Sequence, residues 1–274
     1  MKLTFTKMSG AGNDFVVIDN RSGIVADAVS LARKICDRRW GVGADGLLLL
    51  EKSEKADYRM MYYNADGSYG GMCGNGGRCI SQYAFVSGIA GDTQKFEALG
   101  HIYHSVVDSG EVILSMLDPR GLRMNIVLPI GSRKLKLHFV DTGSPHVVIP
   151  TAQFKTRHRT LEEIPVADLG RKIRYHKQFQ PEGANINFIE RVDKTTIKIR
   201  TYERGVEAET YACGTGSIAA AVVGSRLWNM RPPLKIVPVS GIPLFVRFDV
   251  RKSACSRVTL RGEARITFTG EFDA

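Results

Sequence analysis

Two cysteines stand in the same short pattern. Met72-Cys73-Gly74-Asn75-Gly76 and Ala212-Cys213-Gly214-Thr215-Gly216 share Cys-Gly-x-Gly, and the two thiols lie 140 positions apart (213 minus 73), about half of the 274 residues. Each pattern precedes a segment of helical character, Arg78 to Val86 and Ser217 to Val223. A thiol at, or just before, a helix N-terminus meets backbone N–H groups without intrahelical acceptors and the positive end of the macrodipole. There it can ionise at about pH 3.5–7.5 rather than about 8.5, and the glycines leave the adjacent N–H groups open to an anion such as a carboxylate. If two such helix starts serve one substrate, its carboxylate receives N–H groups from both, one thiolate removes the α-proton and the other thiol returns one. Net inversion at carbon needs that opposed acid and base. It needs neither metal nor pyridoxal cofactor if the developing carboxylate charge is held strongly enough. With each sulfur about 3–3.5 Å from the carbon, the two would stand about 6–7 Å apart, far beyond the ~2 Å of a disulfide.

The elements that must position these thiols are readable in the hydrophobic pattern. Strands are predicted at Leu3 to Met8, Phe15 to Ile18, Leu47 to Leu50, Tyr58 to Tyr63, Ile102 to Val107 and Glu111 to Met116, with a glycine turn at Gly10-Ala11-Gly12. Asp27 to Trp40 carries Ala28, Leu31, Ala32 and Ile35 at helical spacing. Asp118-Pro119-Arg120-Gly121 reads as a turn near the middle of the chain. Further strands are predicted at Leu135 to Val140, Val147 to Ile149, Ile186 to Ile189, Thr196 to Tyr202 and Arg265 to Phe272. The helix from Ser217, stopped by Gly224, is apolar on every side, so it must be surrounded by protein: a central helix wrapped by sheet. Two copies of one unit are the simplest account of the repeated pattern.

Composition narrows the function classes. Hydrophobic residues make up 43% and charged residues 24%, as in a globular protein. No apolar run approaches the ~20 residues of a membrane span, and no apolar stretch of ~7–15 residues of a signal peptide is present near Met1; the expected location is the cytoplasm. An odd count of five cysteines argues against a disulfide scaffold, and Cys36, Cys79 and Cys255 read as ordinary buried residues. The net charge of +10 favours anionic partners. The densest basic stretches, Arg133 to Lys136 and Arg171 to Lys177, are interrupted by apolar residues and lack an RNA-binding signature, so no nucleic-acid partner is expected. Gly41-Val42-Gly43-Ala44-Asp45-Gly46 matches a dinucleotide fingerprint only literally, because here helix precedes strand. The six histidines (His101, His104, His138, His146, His158, His176) form no HExxH, and no CxxC occurs, so no metal is expected.

At Gly10 to Phe15, Asn64 to Ser68, Met72 to Cys79 (MCGNGGRC), Ser144-Pro145-His146, Gly183-Ala184-Asn185, Tyr202 to Gly205 and Glu209 to Gly216 (ETYACGTG), the sequence closely resembles the diaminopimelate epimerase family. The resemblance covers nearly the whole chain. It implies cofactor-independent interconversion of LL- and meso-diaminopimelate, a step of lysine and peptidoglycan-precursor synthesis, with Cys73 and Cys213 as the two acid/base residues. It implies that Gly74, Asn75, Gly214 and Thr215 offer backbone N–H groups to the reacting carboxylate. Asn13, Asn64, Asn185, Glu203 and Arg204 would hold the polar ends of the substrate, with Arg204 a bidentate fork for the distal carboxylate. His146 beside Cys73, and Glu203 beside Cys213, would tune the thiols.

The resemblance also implies the fold class: α/β (α+β), two pseudo-symmetric domains, each a mostly antiparallel sheet wrapped around a central helix. The expected domains are 1–117, with 264–274 returning to it, and 118–263, in a homodimer. Three departures from the family pattern stand out. Ser144 replaces an asparagine frequent there, Gly46 a glutamine, and the link from Glu203 to Cys213 is one residue longer than in some relatives. A proline or hydroxyproline racemase of the same fold is the nearest alternative. Asn75, where those relatives carry histidine, and Arg204 both speak against it. A thiol redox protein and an RNA-binding module are the alternatives from other classes.

Overall fold

The computed structural model describes residues 2–131, 133–154, 160–251 and 254–274; His158 lies outside them. The chain divides into two compact units, one running to Ser115 and joined by Arg261–Ala274, the other Met116–Leu260.

In the first unit, Lys2–Gly10 turns at Ala11 and Gly12, both at positive φ (57° and 91°), and returns antiparallel as Asn13–Asp19. Helix α1 (Ala28–Ile35) carries the chain across to Gly46–Glu51, parallel to Asn13–Asp19. Tyr58–Asn64 follows antiparallel. Helix α2 (Gly74–Val86) then crosses to Thr93–Ala98, parallel to Tyr58–Asn64. His101–Asp108 and Glu111–Ser115 complete an antiparallel meander, and Arg265–Asp273 pairs with Lys2–Gly10.

The second unit repeats this order. Arg133–Asp141 and Pro145–Pro150 form the antiparallel pair, and helix α3 (Val166–Arg174) crosses to Asn185–Arg191. Thr196–Glu203 follows antiparallel, and helix α4 (Gly214–Trp228) crosses to Leu234–Val237, which pairs antiparallel with Leu244–Arg251. Parallel neighbours cannot be joined by a tight turn, so each of these four parallel pairs takes a crossover helix. The sheets are otherwise antiparallel, as the family resemblance implies.

Helix α4 is buried at Gly214 and from Gly216 through Ser225. It packs on Pro145–Pro150, Asn185–Arg191, Thr196–Glu203 and Leu244–Arg251, which is the sheet-wrapped helix expected from its apolar circumference. Helix α2 packs likewise on Lys2–Gly10, Asn13–Asp19, His101–Asp108 and Glu111–Ser115. Separate apolar clusters back the smaller helices. Leu31 and Ile35 of α1 meet Leu3, Val16, Ile18 and Leu47, while Val166 and Ile173 of α3 meet Leu137, Val147, Ile186 and Phe188.

Several elements differ from the sequence reading. Helix α1 stops at Ile35 rather than Trp40, because the chain doubles back and the Val42 and Gly43 N–H groups take up the Ile35 carbonyl at 2.9 and 3.0 Å. Helix α2 begins at Gly74, four residues before Arg78. Gly224 does not end α4. A Cβ there would lie 2.5 Å from Ile197 Cδ1, so this glycine serves close packing, and the helix runs on to Trp228, where Asn229 caps it in the left-handed region. Asp118 to Gly121 forms no turn; the chain passes extended into the strand Arg120–Ile130.

Candidate active site

Cys73 and Cys213 are the N-cap residues of α2 and α4, with φ/ψ of −119°/124° and −119°/114°. N-caps favour Ser, Thr, Asp or Asn; a cysteine in this place twice, with matching backbone, is a chemical choice. Of the second glycines of the patterns, Gly216 is required by crowding, since an added Cβ would sit 2.6 Å from Asn187 Oδ1, whereas at Gly76 it would sit 3.2 Å from Leu48 Cδ2, the end of a side chain that can give way.

Around Cys73, the Sγ donates to Asn13 Oδ1 at 3.7 Å, and Asn75 Nδ2 donates to the same oxygen at 3.4 Å. Asn13 opens its strand immediately after the Ala11-Gly12 turn, and its Nδ2 donates to Asp45 Oδ2 at 2.5 Å. Asp45 belongs to a charged group: Arg38 binds both Asp45 Oδ1 and Asp14, and Lys7, almost buried, binds Asp14 at 2.7 Å. Burial alone would raise the Asp14 carboxyl, but the bonds from Arg38 and Lys7 outweigh it and bring it to about 2. Asn64 ends its strand opposite Gly46. Its Oδ1 accepts from the Tyr62 hydroxyl at 2.7 Å and its Nδ2 donates to Ser68 Oγ at 3.0 Å.

The Gly46 departure has a steric reason. A Cβ there would lie 2.5 Å from Tyr62 Cε2 and 2.6 Å from the Tyr63 carbonyl oxygen. The Tyr62 ring occupies the space and its hydroxyl supplies a polar contact to Asn64.

At Cys213 the sulfur accepts a hydrogen bond from its own helix. Gly216 N–H donates to Cys213 Sγ at 3.4 Å, and Thr215 Oγ1 lies 3.5 Å from the sulfur. Behind Thr215, Ser144 Oγ donates to its hydroxyl at 3.4 Å, and His146 Nε2 is 3.0 Å from Ser144 Oγ. The proton positions along this line follow from Asn187. Its Oδ1 accepts from Thr201 and its Nδ2 donates to the Val147 carbonyl and to His146 Nδ1. Nδ1 is therefore the acceptor and Nε2 carries the proton toward Ser144. Ser144 Oγ also accepts from Asn185 Nδ2 at 3.3 Å, which leaves its own proton for Thr215 and that of Thr215 for Cys213. Burial, with the positive charge of Arg204, pushes the His146 ring down to about 3, so it is neutral at physiological pH.

His146 was expected beside Cys73; the bonds it makes here run to Ser144 and Asn187 in its own unit. Asn185 Oδ1 accepts the Arg204 backbone N–H at 2.8 Å, and the Arg204 guanidinium donates to the Glu182 carbonyl at 3.4 Å. The Glu203 carboxylate accepts from Thr210 Oγ1 at 2.7 Å.

Cys36, Cys79 and Cys255 are buried, and burial pushes the Cys36 and Cys79 thiols up to about 12. None of the three caps a helix N-terminus.

The family model for diaminopimelate epimerase matches residues 5–120 and 138–241. The chain belongs to that family. Family members of high similarity include a diaminopimelate epimerase from Chlorobaculum tepidum, 44% identical over 96% of this chain and 98% of its own length. Another, from Aquifex aeolicus, is 40% identical over 90% of each. Among solved structures, a PhzF-family phenazine biosynthesis protein of Bacillus anthracis shares the fold with a TM-score of 0.75 at 15% identity, covering all of both chains. A hydroxyproline epimerase from Agrobacterium vitis does so with 0.74 at 12%, over 98% of this chain and 92% of its own. The chain is thus an amino-acid epimerase by family.

Three residues of the site were not singled out in the sequence. Asp45 was read as part of a glycine turn, Tyr62 as a strand residue and Arg78 only as a letter of MCGNGGRC. Arg78 left one signal: a cation one helical turn after a cysteine cap, in a helix with no other charge.

Proposed function

We propose that this chain interconverts LL- and meso-diaminopimelate by moving a proton at one α-carbon, with Cys73 and Cys213 as the acid/base pair and no cofactor. The observation that carries this reading is the doubled cap, two thiols with the same backbone geometry at the starts of two enclosed helices. High identity to diaminopimelate epimerases over nearly the full chain supports the substrate.

In each turnover a thiolate abstracts the α-proton from one face and the opposite thiol delivers a proton to the other. Electron density left on the α-carbon moves into the carboxylate. The backbone N–H groups of Gly74, Asn75, Gly214 and Thr215, at positively polarised helix starts, receive that charge. Arg204 pairs with the distal carboxylate, while Asn13, Asn64, Asn185 and Glu203 hold the remaining polar groups, so a substrate lacking the distal end leaves these partners unmatched. His146 acts on a thiol rather than on substrate, and Glu203 serves both. The same reading carries a cytoplasmic homodimer with no nucleic-acid or membrane partner; among the described residues no helix is long and apolar enough to cross a membrane.

Proton NMR of the reduced protein with LL-diaminopimelate in D₂O tests this, with proline and glutamate as controls. Loss of the α-proton signal with appearance of the meso isomer is expected. Exchange in a control amino acid alone would retain the thiol chemistry and remove the substrate; no exchange in any would remove the epimerase reading.

A further inference from the structure

Arg78 is fully buried in α2, in a place where a charged side chain needs a strong reason. Its Nη1 donates to the Gly74 carbonyl at 3.2 Å, its Nε to the Glu263 carbonyl at 3.5 Å, and its Nη2 to Asn75 Oδ1 at 3.0 Å. Burial lowers its affinity for a proton, and the groups that offset this electrostatically are Cys79, Cys73 and Glu263.

A guanidinium can only donate and a carboxylate can only accept, so a row of amides strung between them has one allowed orientation. Arg78 fixes Asn75 with its oxygen toward the guanidinium and its Nδ2 outward. Asn75 Nδ2 donates to Asn13 Oδ1. Asn13 Nδ2 donates to Asp45 Oδ2, whose other oxygen is taken by Arg38. The row is terminated by a donor at one end and an acceptor at the other, and neither amide can flip without breaking a charge-assisted bond.

We propose that Arg78 and Asp45 are positioning residues that lock Asn75 and Asn13 in this one orientation, so that Asn13 presents its carbonyl oxygen, and not its NH₂, to Cys73. The consequence is chemical. An oxygen facing the sulfur accepts an S–H and favours the protonated thiol; an NH₂ in its place would donate and favour the thiolate. The lock thereby sets how readily Cys73 holds its proton. This rests on Cys73 being an acid/base residue, and it adds two residues that never touch substrate.

The charged and titratable groups around Cys73 and its two asparagines include Arg78 and Cys79 on its own helix and Glu263, and, behind Asn13, Asp45 with Arg38, Asp14 and Lys7 bonded in one group. Charge loss must therefore be separated from amide rotation. The experiment is the pH profile of Cys73 alkylation by iodoacetamide, read peptide by peptide by mass spectrometry on the full-length reduced protein. Asp45→Asn, which can meet Asn13 with either end of its amide, moves the Cys73 profile down by about one pH unit. Asp14→Asn removes a neighbouring carboxylate but leaves Asp45 on Asn13, and moves it by less than half as much; Asp45→Glu keeps the unmodified profile. Equal shifts in Asp45→Asn and Asp14→Asn, or none in the former, would overturn the lock.

Neutron diffraction from the unmodified protein gives a second test that does not depend on a variant folding. Deuterons of Asn13 Nδ2 on the Asp45 side are expected, and deuterons on the Cys73 side overturn the proposal. Neither measurement uses diaminopimelate, so failure of the lock and failure of the proposed reaction are read separately.

Discussion

The starts of α2 and α4 share backbone angles, capping residue and glycine spacing, yet their sulfurs are bonded with opposite polarity. Cys73 Sγ turns from its helix and donates to an amide oxygen. Cys213 Sγ turns toward its helix and accepts from Gly216 N–H. One bond exists only while the sulfur holds its proton; the other is strengthened when it has lost it. Duplication of a motif has thus supplied two thiols of one geometry, and the surroundings, Asp45 and Arg78 in one unit, Ser144 and His146 in the other, have made them different. The proposed reaction needs an acid and a base at once, and this difference would serve it.

The largest test of the comparison is removal of either sulfur. Cys73→Ala and Cys213→Ala each lower turnover by at least about a thousandfold in the NMR assay, with unfolding midpoints near that of the unmodified protein. Near-normal turnover in either would end the two-thiol mechanism. The glycines then separate the two starts by stability. Gly216→Ala forces a methyl onto Asn187 Oδ1 and costs about 1–3 kcal/mol in urea unfolding. Gly76→Ala meets only the end of the Leu48 side chain and costs less than about 1 kcal/mol.

Acid distinguishes the units as well. His146 has a folded value of about 3 against 6.5 for the ordinary side chain. Between those limits the unfolded chain binds the extra proton, so stability rises with pH, is fully present above 6.5 and is lost as pH falls toward 3. Asp14, at about 2 against 3.8, contributes above 3.8 and loses that contribution as pH falls through 2. Of these two groups His146 alone acts between pH 6.5 and 4, where His138, its ring also lowered by burial, works in the same direction. His146→Gln should flatten the urea-unfolding pH profile there, by about 2 kcal/mol from pH 6.5 to 5, and an unchanged slope would contradict the buried neutral ring.

Smaller effects sharpen the contrast. Ser144→Ala removes the hydroxyl between His146 and Thr215 and lowers kcat about five- to tenfold with KM little changed, while Ser144→Thr restores it. Tyr62→Phe, which takes a bond from Asn64, raises KM about threefold with kcat held. A drop in kcat alone would place Tyr62 with the thiol rather than with substrate.

What the sequence disclosed was what lies in consecutive residues. Cys-Gly-x-Gly shows a thiol, bare N–H groups and a helix start in four letters, so the place of Cys73 and Cys213 at helix starts was legible. Continuous apolar runs marked the strands at Phe15 to Ile18 and Leu47 to Leu50 to within two residues. Helix α3 was not foreseen because Gly170 interrupts it. That glycine is there because a Cβ would lie 2.4 Å from Tyr202 Cβ, a neighbour some thirty positions on. Gly224 misled for the same reason. Both are glycines of tertiary crowding, and a local reading takes a glycine for a stop. Asp45, Tyr62 and Arg78 gain meaning only from what stands opposite them: an amide from another strand, a missing side chain at position 46, a carbonyl from Glu263. The Gly46 departure, puzzling as a letter, resolves once the Tyr62 ring is seen in its place.

The pairing of Lys2–Gly10 with Arg265–Asp273 has a temporal consequence. A ribosome releases the first strand more than 250 positions before its partner. The second unit, continuous in sequence from Met116 to Leu260, can assemble while the first still waits with one strand edge uncovered. The Cys213 environment can then be built before the Glu263 carbonyl reaches Arg78 beside Cys73, and until Arg265–Asp273 arrives one edge of Lys2–Gly10 stands open to mispairing.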